Sequence, residues 1–157
     1  MIQREQLRAV FDASVTAVSP ETCVLRHLER RGDQLRVGDE FWDLQSIRRL
    51  LVLGAGKASL RMAAATRQVI GDVIDGGVIV SNVAGLVPGF DVIVGDHPVP
   101  SGASVAAGEA LLNHLGDLGE GDRFLFLLSG GASALCELPM ASLTLADLQE
   151  TTRMLLA

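Results

Sequence analysis

Apolar positions along the 157 residues change their period several times, and each change marks an element. Within residues 2–18, Leu7, Val10, Phe11, Ser14 and Val18 recur at three- and four-residue intervals, the period of an amphipathic helix that packs one face. Pro20 suits the first turn of a second helix, with Cys23, Val24, Leu25 and Leu28 as its apolar content and Arg30, Arg31 and Gly32 as its end. His27 reads as a surface residue. Residues 34–37 and 40–44 then flank Gly38-Asp39, which predicts a short hairpin with Phe41 and Trp42 covering an edge.

The pattern changes again at residues 50–53, four consecutive apolar positions of the kind a parallel strand covered on both faces requires. Gly54 and Gly56 make a turn, and residues 58–70 predict an alanine-rich helix broken at Gly71. Short β-branched runs at 77–81 and 91–95 predict two further strands. Ser101 caps a helix reaching Leu115, with Val105, Ala106, Leu111, Leu112 and Leu115 expected on its buried face. Residues 123–128 are the most apolar strand, expected at the centre of the sheet, and Thr144 with Asp147 resembles a capping box that opens a last helix through Leu148, Thr152 and Leu155. Strands alternating with helices predict an α/β, Rossmann-like domain: a mostly parallel sheet with helices on both faces, preceded by N-terminal helices and a short hairpin. The final pattern stops at Leu156-Ala157 without a glycine cap, proline or polar tail, so the native protein is expected to continue, with 1–157 as its N-terminal domain.

Composition narrows the classes. A hydrophobic content of 48% places the chain among globular proteins, and a formal net charge of -6 argues against nucleic acid or an anionic membrane as partner. Cys23 and Cys136 have no metal-ligand spacing, which favours reduced core thiols in a cytoplasmic protein. The positive mean hydropathy implies apolar surface that needs a partner, either a second copy or a further domain.

Ligands of parallel sheets bind beyond the carboxyl ends of the strands, and here those ends carry Gly54-Ala-Gly-Lys57, Ser81-Asn82, Gly95-Asp96-His97 and Ser129-Gly130-Gly131. Lys57 is the only lysine, placed where the unpaired N–H groups of a new helix would face an anion. Arg61 lies one turn further on the same helix face and would extend such a site, unless it is simply solvated. A P-loop is excluded, because no glycine stands five residues before Gly56 and Ala58 stands where Ser/Thr is needed, and Ser59 replaces the third glycine of the dinucleotide fingerprint. Asp96-His97-Pro98 reads either as a rigid turn bonding the backbone or as a general base. In the second loop, Ser129 and Ser133 offer hydroxyls, and Gly130 and Gly131 let the backbone approach a ligand. Neither serine has the flanking glycines of a nucleophile elbow, so phosphate cradling is the better functional reading.

Taken together, Gly54-Ala-Gly-Lys-Ala-Ser59 with Met62-Ala63, His97-Pro-Val-Pro100, and Ser129-Gly-Gly-Ala-Ser-Ala-Leu135 with Pro139 resemble the N-terminal part of the bacterial and archaeal glycerate 2-kinases. These carry a leucine-rich C-terminal domain of the MOFRL type, and some bear the label hydroxypyruvate reductase. The resemblance covers essentially the whole chain, with Ser101 and Ala132 as departures where the family often has Asp and Gly. It implies ATP-dependent phosphorylation of D-glycerate to 2-phosphoglycerate with a divalent metal such as Mg2+, in a cleft between two domains. It implies catalysis by Lys57 and cofactor binding by Gly54, Gly56, Ser129, Gly130, Gly131 and Ser133; substrate contacts are expected from His97 and, by its place at a strand end, from Asn82. No residue of the chain is assigned to the metal, and without the C-terminal half the chain is expected to be inactive. The rival readings are an NAD(P)H-dependent reductase and a folded fragment that catalyses nothing.

Overall fold

The computed structural model describes residues 3–157, so Ile2, which the helical pattern included, lies outside them. Two helices, α1 (Arg4–Ala17) and α2 (Pro20–His27), lead into the strands β1 (Leu28–Arg31), β2 (Gln34–Val37) and β3 (Glu40–Asp43). Then follow β4 (Arg49–Ala55), α3 (Ser59–Ile70), β5 (Val78–Ser81), β6 (Asp91–Val94), α4 (Gly102–Gly116), β7 (Asp122–Leu128), α5 (Ala132–Leu135) and α6 (Leu145–Leu156). The last four strands form one parallel sheet in the order β6-β5-β4-β7, and β1-β2-β3 form a separate antiparallel meander.

The uninterrupted apolar run of β4 is explained by burial on both faces. Leu50 and Val52 join a core with α2, α3 and the meander, whereas Leu53 and Ala55 join a second core against α4 and α5. The expected α/β class with helices on both faces is what the structure has. The sheet order also has a functional consequence. The chain runs outward through β4, β5 and β6, then α4 returns it to the other side of β4 as β7. The strand order therefore reverses between β4 and β7, which in parallel sheets is where a ligand crevice lies, at the carboxyl ends of the strands.

Several expectations are corrected. Residues 28–31 are not the end of a helix but a third strand: Leu28 is buried opposite Val37, and Arg30 reaches the Ile70 carbonyl and Asp72 at the end of α3, tying the meander to the domain. β7 is not central, because α4 delivers it to the edge, and Phe124, Phe126 and Leu128 are 42, 42 and 65% exposed on its outer face. α1 forms as its periodicity predicts, yet Leu7, Val10, Phe11 and Val18 are exposed rather than packed. On α4 the buried face is Ser104, Ala107, Gly108 and Leu111, while Leu112 is exposed: small residues let the segment after α5 press on the helix, and an alanine at Gly108 would meet Leu138 at 2.9 Å. Trp42 packs partly buried against the first core, as an edge cover should, whereas Phe41 is 68% exposed. Thr144 and Asp147 do cap α6, through Thr144 N–H to Asp147 (2.7 Å) and Asp147 N–H to Thr144 (3.2 Å). Among the described residues no helix is long and apolar enough to cross a membrane.

Two buried polar groups yield predictions. Thr66, on the core side of α3, is fully buried and its hydroxyl has no partner among the described residues. An unsatisfied buried hydroxyl is costly, so Thr66→Val, which keeps the shape, should raise stability by about 1 kcal/mol in urea unfolding. A lower stability would mean that the hydroxyl is satisfied. At the opposite end of the sheet from the crevice, the Asp122 side chain is wholly buried at the start of β7 and accepts from Gly119 N–H (3.0 Å), Arg48 (2.6 Å) and Arg49 (3.1 Å). The Gly119 N–H first, then the two guanidinium groups, hold its carboxyl below the usual carboxylate range against the cost of burial. The sign follows: this stabilisation is complete above the ordinary carboxylate pKa of about 4 and is lost as pH falls through the lower folded-state value. Asp122→Asn should therefore lower the urea midpoint at neutral pH and flatten its fall in acid. An unchanged acid profile would contradict this.

Candidate functional site

The two glycine loops flank the reversal point, one after β4 and one after β7, and they are bonded to each other. Ser129 N–H donates to the Ala55 carbonyl (3.0 Å), Lys57 N–H to the Gly130 carbonyl (3.0 Å), and Ala58 N–H to Ser129 Oγ (3.0 Å). This contact is close because position 56 lacks a side chain. Gly56 has φ +128°, and a Cβ there would fall 2.2 Å from Ser129 Oγ and 2.5 Å from the Ser129 carbonyl oxygen.

The zipper corrects one expectation. The amides around Lys57 were expected to face an anion, but all four are spent inside the protein: Gly56 N–H on the Val80 carbonyl (3.2 Å), Lys57 and Ala58 on the second loop, and Ser59 on the Gly56 carbonyl (3.2 Å). The second loop differs. Among the described residues, the amides of Gly130, Gly131, Ala132 and Ser133 find no protein acceptor. The backbone donors available to a ligand thus lie after β7, and the first loop contributes a side chain.

That side chain, Lys57, is exposed and reaches over the second loop. At Gly131, which has φ +90°, a Cβ would meet Lys57 Cε at 3.1 Å and His97 Cδ2 and Nε2 at 3.0 and 3.2 Å. Lys57, His97 and Gly131, far apart in sequence, therefore share one spot. Ser129 is half-buried beside them, and because its oxygen already accepts from Ala58, its own proton is available to a ligand. Ser133 is exposed on α5, and Asn82 is exposed beyond the end of β5 on the same sheet edge. Gly54 has a packing role inside β4, where a Cβ would press on Ile79 and Leu127 at 3.2 Å.

Arg61 does not extend the site. It makes two bonds to Glu21 on α2 (2.7 and 2.8 Å), and this pairing is the main cause that holds the Glu21 carboxyl below its usual range. A buried group that the sequence reading passed over is Ser104. Its hydroxyl accepts from Asp96 N–H (3.2 Å) and Ser101 N–H (3.1 Å), and so anchors the loop that carries His97, whose peptide to Pro98 is cis. Its place three residues after the Ser101 cap was the available signal.

An ammonium, a hydroxyl and a row of unpaired amides at the mouth of a parallel sheet can bind phosphate or carboxylate oxygens. Among the described residues no group of three or more His, Cys, Asp or Glu side chains is placed to hold a metal ion.

Known proteins resemble this chain over most of its length. A putative hydroxypyruvate reductase of Agrobacterium vitis is 33% identical over 156 residues, which are 98% of this chain and 32% of that protein. The D-glycerate 2-kinase of Thermotoga maritima is 37% identical over 111 residues, 69% of this chain and 27% of that enzyme. A crystal structure of a Pyrococcus horikoshii protein superposes with a TM-score of 0.85 at 29% identity, covering 99% of this chain and 36% of that one. The chain thus spans about a third of the length of the curated relatives it matches. Residues 6–157 match the model of a domain of unknown function, DUF4147. With the paired glycine loops at the sheet's reversal point inside that match, the chain belongs to the DUF4147 family, which it shares with proteins named glycerate kinase and hydroxypyruvate reductase.

Proposed function

We propose that this chain supplies the phosphate-binding half of an ATP-dependent glycerate 2-kinase, which forms 2-phosphoglycerate from D-glycerate. The observation that carries the reading is the division of labour between the loops: spent amides around Lys57, unpaired amides at residues 130–133, and the Lys57 side chain brought over Gly131. In this reading the amides of Gly130 and Gly131 hold phosphate oxygens, with Ser129 and Ser133 as hydroxyl donors. Lys57 neutralises charge on the transferred group or on the substrate carboxylate, and His97 and Asn82 contact glycerate. Phosphoryl transfer rests on positioning and charge stabilisation, which is what such a cradle provides. ATP would supply the phosphoryl group, and a divalent metal such as magnesium would neutralise part of its charge.

The name of the Agrobacterium vitis relative keeps a nicotinamide-dependent reductase as the second reading. A dinucleotide places its pyrophosphate on the amides that follow the first glycine turn. Here those amides are bonded internally and Ser59 fills the third glycine position, which disfavours that reading.

The exposed apolar faces of β7, α1 and α6 fit contact with the part of its relatives' length that this chain does not span. Because the charges around a transferred phosphoryl come from several sides, the chain alone should bind ligand without turning it over. A thermal-shift panel with magnesium-ATP, D-glycerate, 2-phosphoglycerate and NADH, run beside a product assay, tests both parts. The expected result is a raised melting temperature with the kinase ligands and no product. A shift with NADH alone would favour the reductase, and turnover by this chain would remove the need for a second half.

A further inference from the structure

Ser59 opens α3 and is completely buried. Its hydroxyl has one proton for two carbonyl oxygens, that of Val80 at 2.6 Å and that of Gly56 at 2.8 Å; the shorter contact takes it, and the Ser59 N–H donates to Gly56 (3.2 Å). The peptide joining Gly56 to Lys57 is therefore gripped at both ends. Its carbonyl is held by Ser59, and its N–H by the Gly130 carbonyl across the crevice.

We propose that Ser59 is a positioning residue for Lys57: its hydroxyl, donating to the Val80 carbonyl, ties the start of α3 to β5 while its N–H holds the Gly56 carbonyl, and together they set the direction in which the lysine leaves the chain toward Gly131 and His97. Where the dinucleotide spacing has a bare glycine for close packing, this chain has a buried hydroxyl that locks the turn. The hydroxyl is not needed to satisfy either carbonyl. Without it Gly56 still accepts from Ser59 N–H, and Val80 still accepts from Gly56 N–H. Its removal should leave the fold standing and the lysine misdirected. The importance of that direction rests on reading Lys57 as the cation of the site, but the direction itself is measurable without any ligand.

Because Lys57 is the only lysine, a sample labelled with 13C at lysine gives one ε-methylene signal by NMR. In the wild type this signal should show a nuclear Overhauser contact to the His97 ring, since both groups crowd the same point above Gly131. Ser59→Ala should lose the contact while the amide spectrum elsewhere is retained, and Ser59→Thr, which keeps the hydroxyl, should restore it. Thr66→Val removes a buried but unpartnered hydroxyl from the same helix and should leave the lysine signal unchanged. The proposal is overturned if Ser59→Ala keeps the contact or if Thr66→Val disturbs it equally. Unfolding of Ser59→Ala would overturn it too, by making the hydroxyl a support of the fold rather than of Lys57. Magnesium-ATP added to the wild type reports separately: an unresponsive lysine would sink the anion-site reading and leave the positional result intact.

Discussion

Replacing Gly56 by alanine should cost about 3 kcal/mol or more of folding stability, combining backbone strain with overpacking. At φ +128° an L-residue is strained before any contact is considered. The new methyl would then meet Ser129 Oγ at 2.2 Å and the Ser129 carbonyl oxygen at 2.5 Å, so rotating the serine side chain relieves only part of the clash. The backbone of one loop must withdraw from the other, which also endangers the bonds from Lys57 to Gly130 and from Ala58 to Ser129. Urea unfolding of the two proteins measures the difference. A cost below about 1 kcal/mol would mean that the loops are not held in this contact, since ordinary surface changes stay within about half of that.

The second large effect is on binding. Lys57→Ala should weaken the affinity for magnesium-ATP by at least about tenfold, equivalent to about 1.4 kcal/mol, with little change in stability. Lys57 is exposed and its backbone bonds survive the substitution, so the loss is confined to the ammonium group. Arginine should rescue poorly, because a broad, planar guanidinium does not reproduce the compact point charge of the ammonium above Gly131. Titration calorimetry on the wild type and both variants would settle the point. Equal affinities would remove Lys57 from the site.

How far the fold could be read in advance depended on how local its causes are. The amphipathic period of α1, the caps at Ser101 and Thr144, and the β-branched runs of β5 and β6 are short-range features, and each element formed where it was expected. β1 was missed because the apolar pattern of α2 runs on through Leu28. Its strand pairing depends on Val37 and on anchors at Ile70 and Asp72, far away in sequence. The edge position of β7 was illegible for a similar reason: an apolar run reports neither the number of neighbouring strands nor whether both faces are covered, and Phe124, Phe126 and Leu128 are exposed. In the site, Lys57 and the Ser129 loop could be singled out from residue type and spacing. Which amides stay unpaired could not, because that depends on β4 and β7 lying side by side and on Gly56 letting their loops touch. The same distance hid the fate of Arg61, whose partner Glu21 sits 40 residues earlier on α2.

The measurement that tests the central claim most directly is an amide chemical-shift titration of the 15N-labelled chain with magnesium-ATP. The division of labour between the loops predicts that the largest changes fall on Gly130, Gly131, Ala132 and Ser133, with the Lys57 and Ala58 amides, already bonded across the crevice, changing less. Changes centred on residues 54–59, with the second loop silent, would place the anion on the first turn and contradict the account.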